Sequence, residues 1–239
     1  MTAAKILLIR HGESIANVAA TAAEAAGAQT IDVTARDADV PLSALGEQQA
    51  ASLRPRLQDE LGAEWDRALV WSSPYRRAVN TAQLALGDRA FAIDERLRDR
   101  ELGILDALTS RGVDARLPDE AARRRWLGKF YYRPPGGESW TDVALRLRSF
   151  ALELGAADGR TVLLFTHDAV VSLFLYVLLG WTEEQLNAFL LDRVVGNATV
   201  TTLVADGPVW RVEAFSDDAH LTAAGLPATE HPGAARVID

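Results

Sequence analysis

The chain contains no cysteine, a single methionine, four histidines and only two lysines among its 239 residues. Without cysteine there is no disulfide, no thiolate nucleophile and no zinc–cysteine site, and a reducing compartment is permitted. Long hydrophobic runs are missing too. The longest apolar stretch, residues 169–181, is interrupted by Ser172 and falls short of the roughly 20 residues that span a bilayer, so it reads as a buried helix. Met1-Thr2-Ala3-Ala4-Lys5 runs into Ile6-Leu7-Leu8-Ile9 with no small-residue cleavage site, which predicts no secretory signal and a cytoplasmic location. Nor is there a surplus of positive charge: 33 acidic against 25 basic residues give −8, a field that repels phosphate backbones and anionic leaflets. Neither nucleic acid nor a membrane is expected as a partner. Nothing in the sequence speaks to oligomeric state.

What is present suits a folded core. Hydrophobic residues make up 49% and charged residues 24%, and the length suits one α/β domain over residues 1–239. Short apolar runs at residues 6–9, 68–71 and 162–165 lack alternation and each precedes a helical pattern, as expected for strands covered on both faces. Ser73 with Pro74 predicts a helix start and Gly87 its stop. Ser139 with Asp142 opens a helix burying Trp140, Val143, Leu147, Phe150 and Leu154, and Thr182 with Gln185 opens a shorter one. A helix from Ser43 to about Leu61 contains Pro55, which predicts a kink or an end. Residues 199–204 and 209–215 flank Asp206-Gly207-Pro208 and predict a hairpin. Residues 19–39 read as an insertion or lid loop and residues 216–239 as an irregular C-terminal tail. Together these predict a three-layer α/β/α fold with a mostly parallel central sheet.

Two of the four histidines occupy matching places: His11 and His167 each sit just past a buried apolar run and before a helix start. In an open parallel sheet, ligands collect beyond the carboxyl ends of the strands, where helix N-termini offer free amides to anions. A third junction, residues 71–77, brings Arg76 and Arg77 to the same edge. Two imidazoles with Arg10 and an arginine of that pair would form a positive pocket in an acidic protein, suited to phosphate. Neutral imidazole is nucleophilic and guanidinium matches phosphoryl oxygens with paired donors. A metal is not needed for this chemistry, and no helical His pair or supporting ligand run predicts one. Arg123-Arg124-Arg125 reads as an exposed helix face.

The motif Arg10-His11-Gly12-Glu13-Ser14, with Asn17 after it, resembles the signature of the histidine phosphatase superfamily, the phosphoglycerate mutase-like proteins. In family order follow Pro41-Leu42-Ser43-Ala44-Leu45-Gly46 with Gln49-Ala50, Ser72-Ser73-Pro74-Tyr75-Arg76-Arg77-Ala78 with Thr81-Ala82, Pro135-Gly136-Gly137-Glu138-Ser139, and Thr166-His167. The resemblance implies that His11 becomes phosphohistidine, with Arg10, Arg77, His167 and Asn17 around the phosphate and the Asp168 backbone amide as a further donor. Arg77 is favoured over Arg76 because it directly precedes Ala78. Where the family places a glutamate proton donor, this chain has Leu97-Arg98-Asp99-Arg100-Glu101-Leu102-Gly103; Asp99 holds the matching place and Glu101 competes with it. Asp168 stands where the family usually has glycine, either capping the next helix or narrowing the pocket.

The expected activity is therefore cofactor-free, metal-independent hydrolysis of a small phosphomonoester through phosphohistidine, with phosphate as product. A phosphoglycerate mutase, a non-catalytic phosphate-binding module and a metal-dependent hydrolase are the rivals. The mutases resembled carry a Glu-Arg-His-Tyr-Gly-like run at the acid; this chain reads Asp99-Arg100-Glu101-Leu102-Gly103.

Overall fold

The computed structural model describes residues 3–207 and 209–230. The predicted strands form as β1 (Lys5–Arg10), β2 (Leu69–Ser72) and β4 (Thr161–Thr166), with a two-residue β3 (Ala92–Ile93) and the hairpin β5 (Val200–Asp206) and β6 (Val209–Asp217). They make one six-stranded sheet in the order β3-β2-β4-β1-β5-β6. β1 and β2 both run parallel to β4, and β3 parallel to β2, whereas β5 is antiparallel to β1 and β6. Pro208 in the predicted hairpin turn lies outside the described residues.

Nine helices are described: α1 (Ile15–Ala25), α2 (Ala44–Leu61), α3 (Arg76–Leu86), α4 (Ser110–Arg116), α5 (Pro118–Tyr131), α6 (Trp140–Ala151), α7 (Asp168–Leu178), α8 (Glu183–Leu190) and α9 (Ala219–Ala223). Period-2 geometry divides the central strands between two cores. Ile6 and Leu8 of β1, with Val162 and Leu164 of β4, pack with Leu147 of α6 and Phe174 of α7. Leu7, Ile9, Leu163 and Phe165 point the other way, toward Leu53 of α2 and Ala82 of α3. With both faces covered, the middle residues of β1 and β4 are apolar on either side and polar ones stand only at the strand ends, which is why these runs read as continuously apolar and why the three-layer expectation holds. Each such Leu or Ile side chain, fully buried, stabilises the fold by about 1.5–3 kcal/mol before chain entropy is set against it. Among the described residues no helix is long and apolar enough to cross a membrane.

The capping signals mostly operate as read. Ser43 accepts from the Gly46 N–H, and Ser139/Asp142 and Thr182/Gln185 form reciprocal boxes. Pro55 does not break α2: it lies on the exposed face, where the carbonyl its ring leaves unbonded is open to water, while Leu53, Leu57 and Leu61 hold the opposite face in the core. Ser73 does not cap α3, which begins at Arg76, two residues beyond the predicted start at Pro74; it serves the site described below. Residues 19–39 are not loop throughout, because α1 continues to Ala25 and a short 3₁₀ turn covers Asp37–Asp39. The stretch between them is tied down rather than loose. Thr109 donates to the carbonyls of Ala28 and Gln29, and Ile31 donates to that of Ala107. The tail is likewise partly ordered. β6 extends to Asp217, α9 follows, and Pro227 and Thr229 accept hydrogen bonds from the buried Gln49 side chain, while residues 231–239 lie outside the described residues.

Two glycines in separate motifs meet backbone to backbone. A Cβ at Gly12 would collide with the Gly46 carbonyl oxygen, and one at Gly46 with that of Glu13. Gly46→Ala is expected to lower stability by about 1–3 kcal/mol through forced displacement of the segment carrying His11. Gly155→Ala, where nothing lies within 4 Å of the added carbon, should move it by less than about 0.5 kcal/mol. Denaturant unfolding of both variants checks the pair.

Candidate active site

The register Arg10↔Thr166 sets the ends of β1 and β4 level, so the next residues, His11 and His167, emerge side by side. The His11 N–H donates to the Thr166 carbonyl at 2.9 Å, and the two rings meet edge to face with centroids 5.2 Å apart. β2 lies on the other side of β4, and α3 after it brings in Arg77, which is buried, whereas Arg76 is exposed. A cavity of about 410 Å³ opens here, with Arg10, His11, Asn17, Arg77, Asp99 and Asp168 on its walls. His167 is fully buried behind it, packed against His11 and Tyr75.

Two hydrogen bonds agree on the His11 tautomer. Nδ1 lies 2.7 Å from the Gly12 carbonyl, an acceptor, so Nδ1 carries the hydrogen; Nε2 accepts from Arg77 Nε at 3.2 Å. The lone pair is thus on Nε2. Burial, then Arg77, His167 and Arg10, push the His11 pKa well below the ordinary histidine value, so the ring is a neutral nucleophile at neutral pH. For His167 the tautomer follows from the acceptor beside it: the Asp99 carboxylate lies closest to Nδ1, so a hydrogen on Nδ1 avoids two lone pairs facing each other, and the Ser73 hydroxyl, which accepts from the Tyr75 N–H at 3.2 Å, then donates to Nε2 at 2.8 Å. Nδ1 is 3.3 Å from Asp99 Oδ2 yet outside hydrogen-bonding geometry, and it has no partner. Burial and the Arg77, Arg146 and Arg10 guanidiniums push the His167 pKa well below its ordinary value, outweighing that carboxylate.

Arg10 donates from Nη1 to the Val195 carbonyl at 2.5 Å, while its buried Nε is unpartnered. An unsatisfied Arg10 Nε–H and His167 Nδ1–H in a buried centre are what an anion's oxygens would satisfy. Asn17 uses its side-chain oxygen to box the Ser14 cap of α1 and to accept from Asn197, leaving its amide as the donor for the cavity it lines. Asp168 is the first residue of α7, whose N-cap, His167, makes no side-chain cap bond; the Asp168 Oδ1 accepts from the adjacent Ala169 N–H at 2.6 Å and the residue also lines the cavity, which the first-turn amides of α7 border.

Asp99 and Glu101 separate. Asp99 lines the cavity with Oδ2 3.0 Å from Arg77 Nη2, whereas Glu101 accepts from the Tyr75 hydroxyl at 2.8 Å and stays off the cavity wall. The loop bearing Asp99 is gripped by the Pro135-Gly136-Gly137-Glu138-Ser139 motif. Glu138 accepts from Arg98 and Arg146, its backbone pairs with Glu101, and Arg146 also donates to the Asp99 carbonyl at 3.0 Å. Gly137 permits the approach, since a Cβ there would meet the Glu101 carbonyl oxygen at 2.6 Å.

Several residues escaped the sequence reading. Asp37 pairs with Arg77 and lines the cavity; its segment had no periodicity to place it. Ser73 was read as a cap, and only its distance from His167 reveals its role. α4 was not foreseen, and α5 only as a helix face at residues 123–125; the two build the far wall around a small core of Leu105, Val113, Ala121 and Tyr132. Arg123 and Arg125 are exposed as read, but Arg124 turns into the cavity beside Arg100. Arg100 donates to the carbonyls of Glu138 and Tyr132, and burial together with Arg124 pushes its pKa down to about 10. Arg124 has no hydrogen bond or ion pair among the described residues. Also among the described residues, no group of three or more His, Cys, Asp or Glu is placed to hold a metal ion.

The neutral imidazoles bear on stability. His11 and His167 resist protonation when folded but bind protons freely when unfolded below about pH 6.5, so unfolding takes up protons there. Their contribution is complete above that pH and is lost as pH falls below it. His220, also lowered, acts in the same direction, while Asp37, raised, opposes it at lower pH. In phosphate-free buffer the melting temperature should fall between pH 7 and 5, and less steeply in the His11→Asn/His167→Asn variant. Equal slopes would contradict the neutral pair.

The model of the histidine phosphatase superfamily (branch 1) matches residues 6–218. The glucosyl-3-phosphoglycerate phosphatase of Mycolicibacterium vanbaalenii is 33% identical over 191 residues, covering 75% of this chain and 76% of that protein. The 6-phosphofructo-2-kinase/fructose-2,6-bisphosphatase of Gallus gallus is 30% identical over 186 residues, 78% of this chain but 35% of the longer relative. Among solved structures, a mycobacterial glucosyl-3-phosphoglycerate phosphatase with VO3 superposes with a TM-score of 0.70 at 29% identity, over 90% of this chain and 99% of that one. The α-ribazole phosphatase of Shigella flexneri shares the fold at TM-score 0.71 and 22% identity, over 90% and 96%. The motifs, their order and the matched span together make this chain a member of the histidine phosphatase superfamily, branch 1.

Proposed function

We propose that the chain is a phosphomonoester hydrolase working through a phosphohistidine at His11, without a metal ion, on a small substrate carrying a second anionic group. The observation that carries this reading is the neutral His11, its Nε2 lone pair set among Arg10, Arg77 and His167 with two unsatisfied buried donors beside it. In the first step Nε2 attacks phosphorus, the bond to the leaving oxygen breaks, and protonated Asp99 delivers its proton to that oxygen. Water then attacks phosphohistidine, Asp99 takes its proton, and the N–P bond returns its electrons to Nε2. Arg10, Arg77, Asn17 and the His167 Nδ1–H hold the phosphoryl oxygens, with the α7 amides at Asp168 adding their dipole.

A cavity of about 410 Å³ suits a small molecule rather than a folded phosphoprotein. The second anion is supported by Arg100 and Arg124, two guanidiniums on the far wall; burial and the neighbouring Arg124 lower the Arg100 pKa, a cost that an anion lying between them would relieve. The relatives' names point the same way: phosphoglycerate carries a carboxylate beside its phosphate, and fructose 2,6-bisphosphate a second phosphate. Hydrolysis is favoured over a mutase reaction because the relatives compared are named as phosphatases. A cysteine-free chain suits the cytoplasm, where we place the reaction.

Rapid quenching during turnover should trap an acid-labile, base-stable phosphoryl group on wild type and none on His11→Ala, whose turnover falls more than about a thousandfold. Asp99→Asn should slow alkyl phosphates about 10²–10⁴-fold and spare nitrophenyl phosphate, which leaves without a proton. Conversion of 3-phosphoglycerate to 2-phosphoglycerate without free phosphate would overturn the hydrolase reading.

For the far wall, Arg124→Ala should raise KM for glycerate- or bisphosphate-type substrates about ten- to a hundredfold while leaving nitrophenyl phosphate unchanged. An equal rise for both would remove the second-anion subsite.

A further inference from the structure

The Arg77 guanidinium has five N–H donors, and each is already committed. Nε–H points at His11 Nε2 at 3.2 Å. Nη1 donates to the Asp37 carbonyl at 2.6 Å and to Asp37 Oδ1 at 2.9 Å, and Nη2 donates to Asp37 Oδ2 at 3.3 Å and Asp99 Oδ2 at 3.0 Å. A carboxylate thus grips the fork two-handed, the geometry by which a guanidinium holds two oxygens of a phosphoryl group. Nor is a donor left for a phosphoryl oxygen while these bonds stand. One of them covers the lone pair that must attack.

We propose that the Asp37 carboxylate is a resident anion that occupies Arg77 when no phosphoryl group is bound, is displaced by substrate, and returns to help expel product phosphate. The inference rests on the reading of Arg77 as a phosphate ligand. Asp37, rather than Asp99, is the partner that yields. Its side chain is 37% exposed against 23% for Asp99 and 4% for Arg77, so turning into water costs it least. Asp99 is needed beside the leaving oxygen and its loop is clamped by Glu138 and Arg146.

The displacement asks for a side-chain rotation and no opening of the backbone. The Asp37 carbonyl keeps its bond to Nη1, and the following Val40, Pro41 and Leu42 are anchored by burial of Val40, by the Ile15 N–H donating to Pro41 and by the Ser14↔Leu42 bridge. Burial and the neighbouring Asp99 also raise the Asp37 pKa against the pull of Arg77. A bound phosphate dianion beside it would add repulsion in the same sense and drive the carboxylate away.

The consequence is a tuned affinity. A resident anion lowers the apparent affinity for substrate and product by the fraction of time it holds Arg77, and it limits inhibition by phosphate. Inorganic phosphate is the probe, titrated calorimetrically into wild type, Asp37→Asn and Arg77→Ala, with product inhibition of nitrophenyl phosphate turnover measured alongside. Asp37→Asn is expected to bind phosphate about tenfold more tightly, with KM lowered and phosphate inhibition strengthened. Asp37→Ala, which loses the grip altogether, should follow the same direction and guards against a residual asparagine contact.

Weaker or unchanged phosphate binding in both Asp37 variants, while Arg77→Ala loses it, would overturn the inference and leave Asp37 a positioning residue for the fork. Undiminished phosphate binding in Arg77→Ala would instead remove the reading of Arg77 on which the inference stands.

Discussion

Parallel, in-register pairing of β1 with β4 is the constraint on which the rest of the molecule depends. It levels the two strand ends, so that one residue beyond each lies an imidazole, and the His11 N–H bonded to the Thr166 carbonyl locks that level. A slip of one residue would send every β1 side chain to the opposite layer, exchanging Ile6 and Leu8 with Leu7 and Ile9 between two differently shaped cores. The packing of two hydrophobic layers therefore fixes the distance between two catalytic candidates. Stability and chemistry are set by the same register.

Concentrating positive charge at a buried point carries an electrostatic cost, and the fold meets it in two ways. The imidazoles stay neutral, pushed down by burial and by the arginines around them. Arg77 stays charged although burial works against it, because Asp99 and Asp37 hold its pKa above the ordinary value. Arg10 is different. Its Nη1 has only a carbonyl and its Nε has nothing, so part of this centre is left unsatisfied. Such a site is less favourable empty than filled, the condition for binding energy to be released where bonds will change.

The residues proposed to touch the reaction were more legible than the walls of the cavity around them. His11, His167, Arg77 and Asp99 follow from strand ends and ordered motifs, which are local in sequence. The same motifs also contain scaffolding that local reading cannot identify: Glu13 accepts from Ser43, Gln49 holds both Glu13 and the tail, and Glu138 grips the acid loop. Arg124 was misread because a run of three arginines looks uniform in composition, whereas a helix gives each member a different direction. α4 was missed, and the extent of α5 with it, because their faces bury few residues against a small local core, so the apolar period that marks α6 is weak there. Gly128 also interrupts α5 with a left-handed turn. The expectation for residues 19–39 failed differently. Alanine-rich sequence gave no period, yet Ser14 with Asn17 caps a helix that alanine propagates well.

The shorter acid at position 99 shows how these levels combine. A glutamate reaches further than an aspartate, so replacing one by the other asks the backbone to come closer or the acid to serve from a distance. Here the backbone is held, not free to adjust: Arg146 takes the Asp99 carbonyl, Asp99 Oδ1 accepts from the Arg100 N–H, and Glu138 anchors the residues on either side. With the loop fixed, Oδ2 still lies 3.0 Å from Arg77 and 3.3 Å from His167, the groups that pack against the His11 ring. The position of that carboxyl group is therefore set by the Pro135-Gly136-Gly137-Glu138-Ser139 motif, and Gly137 is what lets the two backbones approach. A motif distant in sequence thus fixes the place of the shorter carboxyl group that we propose as the acid.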